Sequence, residues 1–212
     1  MVTIDIISDV SCPWCIIGFR SLQLAIDELD KDEEVAINWR PFELHSAMGS
    51  EGQDRTEYIQ QKYGLTPEQA QANRQNLIDR GLTVGYEFNF PDKGRVYNTF
   101  DAHRLLHWAQ QFSLQTELKL ALFDLYFKHE GDPSNQQQLL QCVEEVGLSV
   151  QGAEAVLTSD QYMEEVRADQ ALTERQGVTA VPAFIFNNQY LVSGGQPKEA
   201  FMNVLQELDK ES

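Results

Sequence analysis

The chain has 212 residues, 42% of them hydrophobic and 23% charged, which suffices for one substantial core or a core with an inserted subdomain. Its 33 acidic residues against 16 basic ones give a net charge of −17, which excludes nucleic acid as a ligand class. No stretch approaches the roughly 18 consecutive apolar residues of a membrane span, and MVTIDIISDVSC lacks a basic n-region and a small-residue cleavage site, so a soluble cytoplasmic protein with reduced thiols is expected.

Residues 2–8 (VTIDIIS) read as a short strand, and Ile16, Phe19, Leu22, Ile26 and Leu29 then recur at intervals of three and four, as on one face of a helix. Residues 35–42 (VAINWRPF) alternate like a strand until Pro41 disrupts the pattern. The opening is therefore β-α-β.

From about residue 46 to 176 the pattern is helical almost throughout. Thr66-Pro67-Glu68-Gln69 offers an N-cap threonine, a proline at the first helical position and a glutamine three residues after the cap, with Gly81 marking the end of that helix. Further helices fit residues 98–112, 113–129, 134–146 and 160–176, while residues 81–95 (GLTVGYEFNFPDKGR) read as irregular. Strand patterning returns at residues 183–187 and 189–193 around an Asn187-Asn188 turn, followed by an amphipathic helix over 197–208. Strands confined to the two ends predict an α/β fold, with residues 1–45 and 177–212 forming one discontinuous domain and residues 46–176 a large all-helical insertion.

Cys12-Pro13-Trp14-Cys15 lies where the first strand gives way to the first helix. There the helix N-terminus, with its free N–H groups, favours a thiolate at Cys12. At the reference pKa of about 8.5 only about 3% of a thiol is ionised at pH 7, against about three-quarters at a pKa of about 6.5. Two intervening residues bring Cys15 within disulfide reach, so Cys12 would attack a substrate disulfide and Cys15 resolve the mixed disulfide. Half of a zinc site and a pair of inert buried thiols are the competing readings. Zinc is weakened because the remaining ligands are Cys142 and four histidines, with no second close cysteine pair, and no metal is expected.

Four stretches carry a resemblance in order: Asp9-Val10-Ser11 with the CPWC and Ile17-Gly18, then Trp39 to Leu44 (WRPFEL), then Asn98 to Leu105 (NTFDAHRL), and finally Gly177 to Phe184 (GVTAVPAF) with Gly194-Gly195-Gln196-Pro197. Together they resemble the DsbA family of thioredoxin-fold oxidoreductases, in its FrnE-like branch, which is related in fold to 2-hydroxychromene-2-carboxylate isomerases and kappa-class glutathione transferases. The resemblance implies a thioredoxin fold interrupted by the helical insertion, and a cis Val181-Pro182 peptide facing the CPWC. Val181 would then pair with a substrate strand. It implies thiol–disulfide oxidoreductase activity on protein or small-molecule disulfides, with catalytic Cys12 and Cys15. The alternative is a glutathione-dependent transferase or isomerase, although those relatives use serine where Cys12 stands. No cofactor is required on this reading; glutathione is a candidate redox partner or ligand, and some relatives are homodimers.

Trp14, Val181, Pro182, His103 and Asn98 are the candidate substrate-binding residues, the last two because they fall in a family-like stretch. Asp9 reads as a structural hydrogen-bond acceptor more readily than a proton acceptor, since a nearby carboxylate raises a thiol pKa. Phe42, Phe88, Phe90 and Trp14 are either an apolar rim around the thiols or core aromatics. Cys142 shares a helical face with Leu139, Val143 and Val146, as a buried thiol would.

Overall fold

The computed structural model describes residues 1–49, 51–91 and 94–211. In chain order its elements are β1 (Val2–Ser8), α1 (Pro13–Glu28), β2 (Val35–Pro41), β3 (Gln53–Asp54), α2 (Arg55–Tyr63), α3 (Pro67–Thr83), β4 (Arg95–Val96) and α4 (Phe100–Ala109). A 3-10 turn at Gln110–Phe112 follows, then α5 (Gln115–Phe127), α6 (Gln136–Glu145), α7 (Val150–Leu157), α8 (Met163–Arg175), β5 (Ala183–Phe186), β6 (Tyr190–Ser193) and α9 (Lys198–Glu211).

Four strands form one sheet in the order β2-β1-β5-β6. β1 runs parallel to β2, with Ile6 opposite Trp39, and antiparallel to β5, with Ile6 opposite Phe184. Ile4, Ile6 and Ile7 are all fully buried, the near-continuous apolar run of a strand covered on both faces. The apolar stripe of α1 shares one core with Phe184 and Phe201 from the end of the chain, which meet edge-on with centroids 4.8 Å apart. In the same core Phe19 of α1 packs on Trp39 of β2 at 4.9 Å. Trp39 in turn touches Phe123 of α5 at 6.1 Å, so the sheet core continues into the helical part.

The helical part is anchored to β2 by polar contacts as well. β2 lies at the sheet edge, and an edge strand leaves backbone groups unpaired. The Gln115 side chain supplies the missing pairing: Trp39 N–H donates to its Oε1 at 2.9 Å, and its Nε2 donates to the Trp39 carbonyl at 3.1 Å. Trp39 Nε1 adds a bond to Thr116 at 3.0 Å, Arg40 pairs with Asp169 of α8 at 2.5 Å, and Arg167 pairs with the buried Glu43 carboxylate. A second core within the helices collects Leu105, Trp108, Leu122, Leu139, Val143 and Val156. Arg104 reaches from α4 to the Val156, Ser159 and Gln161 carbonyls, tying the end of α7 and the turn after it to α4.

Two expectations need correction. The insertion is not all-helical, because β3 and β4 pair antiparallel within it, Gln53 opposite Val96. It also holds α2 and α7, for which the apolar pattern gives no sign. α3 runs through Gly81 to Thr83 before Gly85, at φ 71°, turns the chain. The irregular 81–95 segment is a packed one, with Tyr86 and Phe88 buried against Phe127; its residues 92 and 93 lie outside the described residues.

Candidate active site

β1 delivers the chain to the turn Asp9-Val10-Ser11, and Cys12 is the N-cap of α1 in an extended conformation, φ −94° and ψ 110°. Pro13 fits the first helical position because the N–H it lacks would have had no partner there. The Cys12 N–H donates to the Asp9 carbonyl at 3.2 Å, and the Cys15 N–H to the Cys12 carbonyl at 3.1 Å, which fixes the two thiols one turn apart. Both are free and buried, Cys12 at 4% exposure and Cys15 at none.

Burial and the adjoining Cys15 thiol push Cys12 well above its ordinary pKa, with the Asp9 carboxylate adding to the rise. The Cys15 N–H pulls the other way without prevailing. Burial thus opposes the thiolate that the helix N-terminus favours, and Cys12 Sγ lies 3.8 Å from the Val181 carbonyl, within reach for its S–H to donate. The position at the helix N-terminus follows from the sequence; the desolvation comes from segments distant in the chain.

Beneath the thiols lies a set of buried charged and titratable groups. Asp9, fully buried, accepts from the Ser11 N–H at 3.2 Å and the Leu44 N–H at 2.7 Å, with His103 Nε2 at 3.7 Å. Burial opposes its ionisation, but His103, the Leu44 N–H and Lys119 outweigh that and hold its carboxyl well below the usual carboxylate range. Lys119 of α5 is 1% exposed; its ammonium donates to the Ser8 carbonyl at 3.4 Å and faces the Trp39 and Phe123 rings at 5.2 and 5.0 Å. Burial pulls its pKa down to about 8, against the attraction of Cys15, Asp9 and Cys12. His103 and Lys119 share a cavity of about 40 Å³ with Arg40, His107 and Asp169, above the roughly 10–15 Å³ that one water needs.

Val181-Pro182 is a cis peptide and brings the Val181 carbonyl over Cys12. Among the described residues the Val181 backbone pairs with no other backbone group, while the Pro182 carbonyl accepts from Gly194 N–H at 2.8 Å. Two glycines permit the close approach here. A Cβ on Gly195 would meet the Trp14 carbonyl at 3.0 Å, and one on Gly18 would meet Phe184 at 3.0 Å.

The residues singled out in the sequence thus separate by place. Cys12, Cys15, Val181 and Pro182 come together, and Trp14 lines a large cavity beside them. His103 lies behind the thiols, 2% exposed. Asn98 accepts the Phe100 N–H at 2.8 Å at the start of α4 and reaches Glu43 at 3.4 Å; it is not among the residues lining the cavity. Phe88 is core, Phe90 lines the cavity, and Phe42 packs with Ile7, Val178 and Ala183. Cys142 is buried, its pKa pushed up to about 12 by that burial. Sequence reasoning misses Lys119, which stands out only as one cation within the apolar run LKLALF.

The family described as DSBA-like thioredoxin domain matches residues 3–206. The chain is similar to the uncharacterized protein YwbO of Bacillus subtilis (strain 168), at 26% identity over 99% of this chain and 98% of that one. It is similar to the solved probable DsbA oxidoreductase SCO1869 of Streptomyces coelicolor, with 31% identity and TM-score 0.92, over 100% of this chain and 92% of that one. The cytosolic disulfide reductase DsbM of Pseudomonas aeruginosa shares the fold at 16% identity and TM-score 0.69, over 99% of this chain and 100% of that one, and has also been solved with GSH.

Proposed function

The chain belongs to the family of DSBA-like thioredoxin domains, and from that membership we propose that it is a dithiol–disulfide oxidoreductase of the FrnE-like branch, working through Cys12 and Cys15. The observation that carries the reading is the placement of a CPWC at a helix N-terminus against a cis Val181-Pro182, where among the described residues the Val181 backbone pairs with no other backbone group.

An incoming disulfide lies along Val181 and excludes the solvent side. Cys12 gives up its proton and its sulfur attacks one sulfur of the substrate; the substrate S–S bond breaks and the first thiol leaves. Cys15 then loses its proton and attacks Cys12 Sγ, forming the Cys12–Cys15 disulfide and releasing the second thiol. Two electrons pass from the dithiol to the substrate. The cation of Lys119 favours each ionised sulfur in turn, and the two protons released by Cys12 and Cys15 balance those taken up by the two leaving thiolates.

The direction of net flow depends on what recycles the pair. We assign the protein to the cytoplasm, where two molecules of a monothiol such as glutathione would reduce the Cys12–Cys15 disulfide, making the protein a net reductase. The GSH-bound DsbM supports this partner, and no helix among the described residues is long and apolar enough to cross a membrane. The test is catalysis of 2-hydroxyethyl disulfide reduction by glutathione. Turnover by the natural chain that falls to background in Cys12→Ser supports the reading; Cys12→Ser with undiminished turnover overturns it.

A further inference from the structure

A cavity of about 660 Å³ opens beside the CPWC turn, with Ser11, Pro13 and Trp14 on one side and α2 and α3 on the other. That volume lies within the roughly 300–1,000 Å³ of small-molecule sites. Its inner end is core, made by the buried Val96, Tyr126 and Phe127. α2 presents Thr56, Ile59 and Tyr63 to it, and α3 presents Ala70, Asn73 and Leu77, in each case one stripe of a helix at intervals of three and four.

Such a stripe is where a helix ordinarily meets its core, yet here it meets a cavity. α2 buries none of its residues and α3 only Gly81. Among the described residues, Ile59 of α2 and Leu65 between the two helices are half-buried but pack against none of the buried cores. Apolar surface left facing a cavity is free energy that an apolar occupant recovers. Charge plays little part. No aspartate or glutamate lines the cavity among the described residues, Arg55 packs on Gly94 and against the Phe90 and Tyr126 rings, Arg74 is engaged within the chain, and burial lowers the pKa of His45 and keeps it neutral. Trp14, Tyr58, Tyr63 and Phe90 on the walls suit an aromatic ring, which pairs with them edge-on or offset.

We propose that this cavity selects the substrate: a low-molecular-weight disulfide carrying an aromatic group, its ring against Ile59, Leu65 and Leu77 and its sulfurs at the turn that carries Cys12. This rests on the oxidoreductase reading and names the substrate class for the same site. The reaction is the exchange already described: the dithiol becomes a disulfide and the bound disulfide leaves as two thiols, one of them bearing the ring.

The test compares two uncharged alkyl disulfides, 2-hydroxyethyl disulfide and benzyl 2-hydroxyethyl disulfide, in turnover driven by dithiothreitol, each rate divided by that with dithiothreitol alone. The normalised kcat/KM is expected to favour the benzyl compound by about tenfold or more, through KM, the worth of burying one aromatic side chain. Ile59→Gln, on a helix that buries none of its residues, and Leu65→Gln, between the helices, each put an amide on the apolar wall. Each is expected to lower kcat/KM about fivefold more for the benzyl compound than for 2-hydroxyethyl disulfide, a ratio that the folded fraction of the variant does not alter. Ile59→Leu should keep the preference. Equal normalised kcat/KM for the two disulfides, or a benzyl preference that neither glutamine variant lowers, overturns the inference and leaves the oxidoreductase reading standing. Absence of turnover with both disulfides by the natural chain overturns both.

Discussion

The ammonium of Lys119, on a helix of the insertion, lies 3.4 Å from the carbonyl oxygen of Ser8, the last residue of the strand that leads into the CPWC. One positive charge from residue 119 is thereby buried under two thiols near residue 12, and with Asp9 and His103 it makes the floor of the site. The insertion thus contributes a buried charge to the surroundings of the thiols.

Lys119 acts on the sulfurs through its charge, so Lys119→Met is expected to move the pH profile of alkylation at Cys12 upward by about one unit, slowing it about tenfold near neutral pH. Burial places the lysine's own pKa near 8, so its help is present below about pH 8 and fades above it. Iodoacetamide rates measured from pH 6 to 10 read this, and Lys119→Arg should restore the profile in part. An unmoved profile would leave Lys119 a packing residue.

Asp9 has the opposite sign of linkage. Its folded pKa is depressed below the unfolded value of about 3.9, so it contributes stability above that value and loses it as pH falls through and below it. Denaturant unfolding at pH 7 and pH 3 should show the natural chain losing on the order of 1 kcal/mol more than Asp9→Asn over that interval. Equal losses would mean that the carboxylate is not held ionised by its partners.

Gln115 pairs both backbone groups of Trp39 at the sheet edge. Gln115→Leu keeps the volume but leaves a buried donor and acceptor unpaired, with an expected cost of about 1–3 kcal/mol. Hydrogen exchange at the Trp39 amide should rise in step. The variant's Cys12–Cys15 potential should stay where it was, since Gln115 touches neither sulfur.

Much of this architecture is legible in the order of the amino acids. The long helices show in apolar periodicity because each buries one face, as α1 does, and β1 shows as a near-continuous apolar run because both its faces are covered. α2 buries none of its residues, so no stripe marks it, and the Asp54 N-cap and the left-handed Gly64 at its end are what could announce it. In α7 a glycine, Gly152, pressed against Trp108, interrupts the helix pattern. β3 and β4 are two residues each, too short to alternate. The cis Val181-Pro182 comes with the family resemblance, not from local sequence. The desolvation of Cys12 is tertiary, made by segments far apart in the chain, and it opposes the effect of the helix N-terminus.

The central claim, that Cys12 and Cys15 form one reversible redox pair, is tested most directly by redox titration of the whole chain in graded glutathione, with thiol counting and intact mass. The account predicts a single two-electron couple, with loss of two hydrogens, a Cys12–Cys15 linkage, a midpoint between about −270 and −120 mV, and Cys142 reduced throughout. A pair that stays reduced across that span, or a disulfide that includes Cys142, would contradict it.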